Sequence, residues 1–172
     1  MGGQFFFARY RPGLAAHLRT PRAWRDRLEA IAAYAEPPEV EVVVCHGASG
    51  VPIGAMYLAG IDALNGKAEF SACFLRGRGT RAVWEAMHFA LHYAFETLGL
   101  RKLVLYTLAD NRQALALLNR FGAHPEGTFS AELALPAGGY ADLRRFAVFR
   151  DGDWPRIAQA LARLAPLAQG TE

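Results

Sequence analysis

Lysine is almost missing: of nineteen basic residues only Lys67 and Lys102 are lysines, and the arginines that make up the rest are scattered. The net charge of +3 and a pI of about 9.1 are a mild basic excess. That permits an anionic ligand, but there is no Lys/Arg-dense face with interleaved aromatics, so nucleic acid is not an expected partner. Cysteine is equally scarce. Cys45 and Cys73 each sit inside an apolar run, and no Cys-x-x-Cys occurs. This excludes a disulfide framework and favours a reducing, cytoplasmic setting. No apolar run approaches the roughly 18–20 residues of a membrane span. The opening "MGGQFFFARYRPG" lacks the apolar core of a secretory signal, and Phe6 stands where a myristoylation signal wants Ser or Thr. Internal repeats and low-complexity tracts are absent too.

What is present is a chain of 172 residues, 52% hydrophobic and 12% aromatic. That suits one domain over residues 1–172 with a substantial core. Thr20-Pro21 reads as a helix start, followed by apolar Trp24, Leu28, Ile31 and Ala35 at helical spacing over Arg22–Ala35. Val40–His46, Val51–Ala59 and Lys67–Leu75 read as strands of a meander, with turns at Gly47–Gly50 and Asp62–Gly66. The period then changes. Val83, Met87, Ala90, Leu91, Ala94 and Leu98 predict one helix over Arg81–Leu98, capped by Gly99. A strand over Lys102–Leu108 and a helix over Arg112–Phe121 follow. Two strands around "TFSAELAL" and "LRRFAVF" come next, then a helix from Trp154 to about Leu167. Helices and strands in this order predict an α+β sandwich with a mixed sheet.

The junction "FLRGRGTRAVWE", Phe74–Glu85, concentrates charge and small residues at a helix entry. The first N–H groups of a helix lack intrahelical partners, and its dipole places partial positive charge there. Gly77 and Gly79 let the backbone aim those donors at one point, and Arg76, Arg78 and Arg81 add forked donors suited to phosphate. A solvated basic turn is the competing reading. The spacing is neither a dinucleotide fingerprint nor a P-loop.

From "AEFSACFLRGRG" through "LGLRKLVLYTLADNRQALALLNRFGAHPEG" the chain resembles the GCN5-related N-acetyltransferases (GNAT). It is most similar to the branch containing ribosomal-protein alanine and amino-sugar N-acetyltransferases. The likeness spans roughly Val40 to Arg150. It implies a mixed, mostly antiparallel central sheet flanked by helices, with acetyl-CoA as acyl donor. It also implies a pyrophosphate cradle at Arg76, Gly77, Arg78, Gly79, Thr80 and Arg81, with Arg78–Val83 as the alternative register. The backbone of Cys73, Phe74 and Leu75 would meet the pantetheine and thioester, and Asn111 would contact the cofactor. Arg81 departs from the small residue of the family motif. Leu118 replaces a tyrosine that often protonates the leaving thiolate, which leaves Tyr106, Tyr140 or a water for that role.

Acyl transfer needs a deprotonated amine and a donor to the developing oxyanion. Glu69 is the candidate base; a solvent-facing strand glutamate is its plain alternative. His46 is the weaker candidate. His88 and His92 are four apart, a zinc-capable spacing, yet no third ligand is near, so no metal is expected. Cys73 reads as a small core residue, as do Trp84, Met87, Phe89 and Phe95 as larger ones. Tyr140 and Asp142 fall near the acceptor end of relatives, or are a turn residue and a cap. The implied function is acetyl transfer to a primary amine: a small molecule, an amino sugar or a protein N-terminus. A longer acyl-CoA or acyl carrier protein as donor, and a non-catalytic binding module, are the rivals. A homodimer stays open.

Overall fold

The computed structural model describes residues 39–47, 49–75, 79–135 and 138–165, together with Arg22 and Asp26. Arg22 and Asp26 are helical and form an i,i+4 ion pair at 3.9 Å. The remainder of the helix expected over Arg22–Ala35 lies outside the described residues, as do "QFFFARY" and Leu167.

Three strands open the described fold: β1 (Glu39–Cys45), β2 (Pro52–Asp62) and β3 (Lys67–Phe74). Valines in β1 and the apolar run of β2 suit a pleated surface packed on neighbours. The turn after β2 is closed by Asp62, whose carboxylate accepts the Asn65 N–H at 2.9 Å and its side-chain amide at 2.7 Å. Those donors hold the Asp62 carboxyl below the usual carboxylate value. The helix α1 (Arg81–His92) comes next, then β4 (Lys102–Leu108), α2 (Arg112–Arg120), β5 (His124–Ala134), β6 (Tyr140–Phe149) and α3 (Trp154–Leu164).

The strands form one sheet in the order β1-β2-β3-β4-β6-β5, and every neighbouring pair is antiparallel except β3 and β4. This is the α+β fold with a mixed sheet expected from the order of elements, and mostly antiparallel as the family resemblance implies. Strand alternation then assigns the faces. Phe70, Leu103 and Phe146 join the main core with Met87 and Leu91 of α1 and Ile157 and Leu161 of α3. Ala55, Tyr57, Cys73, Leu108 and Leu143 form a smaller cluster on the opposite face.

Two expectations are corrected. The α-helix stops at His92 and continues as a π turn over Tyr93–Thr97, in which Leu98 N–H reaches the Tyr93 carbonyl at 2.9 Å. The wider turn keeps Phe95 buried while Glu96 accepts the Trp154 indole N–H at 2.7 Å. Phe89 is no core residue. It is 58% exposed and stacks on Tyr93.

β5 is exposed almost throughout and borders the sheet. Its course is interrupted at Ala131, which has φ of 52° and donates its N–H to the Asp142 carboxylate at 2.7 Å. Asp142 therefore fastens a bulge.

Candidate active site

The parallel ladder between β3 and β4 covers three pairs: Lys67 with Lys102, Ala68 with Leu103, and Glu69 with Val104. Beyond Glu69 the strands part. A cavity of about 450 Å³ opens between them and runs under α2. One wall is the end of β3 from Phe70 to Phe74, the other is Leu105, Tyr106 and Thr107 of β4. Trp84 and Met87 of α1 and Leu117 and Leu118 of α2 make its apolar sides, with Asn111 and Gln113 at its polar rim. The size and the mixture of an apolar body with a few polar groups are those of a small-molecule site.

Just before α1, Gly79 stands at the edge of the cavity with φ of 77°, a conformation that favours glycine, and a Cβ built there meets nothing within 4 Å. Thr80 is the N-cap of α1, yet its side chain makes no capping bond and the first turn carries no acidic residue. The dipole end is therefore not neutralised from within the helix. Arg81 turns along the helix instead, its Nε 2.6 Å from Glu85 Oε1, so its guanidinium is held one turn into α1. Arg76, Gly77 and Arg78 lie outside the described residues.

Along β3, Leu75 donates its N–H to the Ile53 carbonyl at 2.9 Å. The alternation of an antiparallel ladder then aims the N–H groups of Ala72 and Phe74 away from β2, toward the cavity. Of the segment Cys73–Leu75, Phe74 is thus the residue whose amide faces the fork. Cys73 is buried, its side chain in the smaller core cluster. Glu69 stands one residue before the strands part and is half-buried. Ser71, on the cavity wall, donates its hydroxyl to Glu69 Oε1 at 3.2 Å. The register sets Glu69 level with Ala59 and Ser71 level with Tyr57, all on the face opposite α1.

Asn111 caps α2, its Oδ1 accepting the Ala114 N–H at 3.2 Å, which leaves the side-chain amide directed by that bond at the cavity rim. Tyr140, 68% exposed, begins β6 and is not among the described residues that line the cavity. His46 is exposed in the β1–β2 turn, with Nδ1 3.2 Å from Ser49 Oγ. His88 and His92 lean on Trp154, ring centroids 5.4 and 6.3 Å away. Burial, then the charge of His92, hold His88 below the ordinary histidine value. Among the described residues no three His, Cys, Asp or Glu side chains converge as a metal set, and no helix is long and apolar enough to cross a membrane.

A parallel strand pair that parts beside an uncapped helix start matches a known frame. The family model described as an acetyltransferase (GNAT) domain matches residues 6–124. The chain belongs to the GNAT family. A GCN5-related N-acetyltransferase from Brucella melitensis superposes with a TM-score of 0.67 at 27% identity, over 86% of this chain and 66% of its own. A mutant of the spermidine N-acetyltransferase SpeG from Vibrio cholerae superposes with a TM-score of 0.64 at 27% identity, over 76% of this chain and 78% of its own. No curated protein matches by sequence.

In this GNAT N-acetyltransferase Tyr106, a sequence candidate for the acid, does line the cavity, whereas Tyr140 is not among the described residues that do. Other features escape a linear reading. Trp84 and Gln113 look like core and surface and turn out to line one space. Gly54 has an ordinary strand conformation, but a Cβ there would stand 2.5 Å from the Cys73 carbonyl oxygen and from Phe74 Cδ1. Only the pairing of β2 with β3 reveals that it lets Phe74 settle.

Proposed function

We propose that this chain transfers the acetyl group of acetyl-CoA to a primary amine, with the donor lying in the fork between β3 and β4. The observation that carries the reading is the fork opening directly onto the uncapped start of α1 past Gly79. The residues present suit the donor. The first-turn amides and Thr80 supply donors for a diphosphate, and Gly79 leaves open space for it. The apolar walls suit a pantetheine arm, and Asn111 stands at the rim. Bound acetyl-CoA supplies the activated acyl group.

The rest is done by the protein. The Phe74 amide faces the fork and is the donor placed to polarise the thioester carbonyl, with Cys73 and Leu75 fixing the strand around it. Glu69, linked to the cavity wall through Ser71, takes the proton from the incoming ammonium. Arg81, paired with Glu85, holds the helix start and its positive field in place. The acceptor is an amine. Spermidine belongs in the test panel beside amino sugars and peptides because a structural neighbour bears that name.

Calorimetry tests the donor site. Saturable acetyl-CoA binding is expected, weakened at least about tenfold in Gly79→Glu, where a carboxylate is set against the diphosphate and a left-handed backbone is strained. A folded wild type with no affinity for acetyl-CoA would sink the reading.

A further inference from the structure

We propose that Tyr106 protonates the departing thiolate, an inference that rests on the acetyl-transfer reading above. The last ladder pair sets Glu69 against Val104, so Tyr106, two residues on, lies on the same sheet face as Glu69. Had the strands stayed paired, Tyr106 would face Ser71. The fork moves it across the cavity instead. Ser71, whose hydroxyl donates to the Glu69 carboxylate, and Tyr106 of β4 therefore line one cleft from its two strands, on one face of the sheet.

The α2 wall supplies no acid, since Gln113, Ala114, Leu117 and Leu118 are what it turns to the cavity. Among the described residues that line the cavity, Tyr106 and Cys73 alone carry a titratable side chain. Cys73 is buried against Ala55, Tyr57, Leu108 and Leu143. Ser71 and Thr107 are aliphatic alcohols and far weaker acids than a phenol, and the Ser71 hydroxyl already serves Glu69. Tyr106 is half-buried, its ring 6.0 Å from that of Phe129 and 5.9 Å from the Arg145 guanidinium carbon. Arg145 lies over a face of the ring and Phe129 meets it at a tilt of 58°, so the ring is packed from β6 and β5.

The step balances as follows. The acceptor nitrogen bonds to the carbonyl carbon and the C–S bond breaks with its electron pair going to sulfur. The phenolic proton of Tyr106 passes to that sulfur. The proton lost by the acceptor nitrogen returns through solvent to the tyrosinate, so amine and thioester give amide and thiol with no net proton change.

The test uses Tyr106→Phe, which keeps the ring on Phe129, with the melting temperature confirming a folded protein. Calorimetry compares CoA with desulfo-CoA at a pH where the thiol is ionised. The wild type is expected to prefer CoA about tenfold, the worth of one hydrogen bond to a charged sulfur. Tyr106→Phe is expected to erase that preference while binding acetyl-CoA within about twofold of wild type. With the best amine of the panel, kcat is expected to fall about 100-fold or more and to lose its descending limb at high pH. Wild-type kcat with the limb intact, or a thiol preference that survives the substitution, overturns the proposal. So does weakened acetyl-CoA binding, which would make Tyr106 a donor-positioning residue. A wild type that binds acetyl-CoA leaves the parent reading standing in each of those cases; one that does not bind it brings down both.

Discussion

Glu69 and His88 show how little a residue's type says before its neighbours are known. Glu69 is a strand glutamate of the sort that usually faces water, yet it is half-buried, takes a hydrogen bond from Ser71 and stands at the point where two strands separate. Removing its charge tests its role: Glu69→Gln is expected to lower kcat about 100-fold and abolish the acidic limb of the pH–rate profile. An unchanged profile would take Glu69 out of the reaction. His88 gives a stability prediction. Its folded-state value is depressed by burial and by His92, so the folded protein binds fewer protons than the unfolded chain in mild acid. That stability is whole above the ordinary value of 6.5 and declines as pH falls through the lower folded value. Melting temperatures at pH 7.5 and 5.5 should therefore differ more for wild type than for His88→Gln. Asn111 illustrates a different point, since a helix cap and a cavity-rim group are one side chain here.

At the scale of elements, periodicity was a good guide wherever one face is buried. β1, β3, β4 and α1 begin or end within a residue of expectation because their apolar spacing answers to a single packed surface. The rest was hidden for physical reasons. β5 is exposed on both faces, so nothing in its pattern marks where it starts, and it runs from His124 instead of from Thr128. The π turn keeps the same side chains inside as an α turn would, so the apolar spacing cannot register it. The fork is invisible because it consists of pairing that stops, and no residue type announces that. Gly54 is where this level can be tested. Gly54→Ala forces a methyl to within 2.5 Å of the Cys73 carbonyl and Phe74 ring, both set in a paired strand. A loss of about 1–3 kcal/mol in chemical denaturation is expected, with weaker acetyl-CoA binding, because the Phe74 amide is displaced.

Across the whole molecule the sheet consists of two antiparallel halves, β1–β3 and β4–β6–β5, joined by three parallel pairs. The helices α1 and α3 pack on one another across that seam, while α2 has no fully buried residue. A donor lying in the fork touches both halves and the underside of α2. Acetyl-CoA at about 100 times its dissociation constant should contribute about 2.7 kcal/mol, raising the melting temperature by roughly 5–10 °C. Hydrogen exchange should slow most in α2; protection confined to β1 and β2 would contradict this arrangement. The outer border has a consequence of its own. β5 offers eleven residues of backbone to any passing chain, the kind of template on which fibrils and unwanted polymers grow. Pro125 withholds a donor, and the kink at Ala131, tied down by Asp142, spoils the even spacing an incoming strand would have to match. The bond that looks like local tidying of a bulge thus doubles as a guard on solubility.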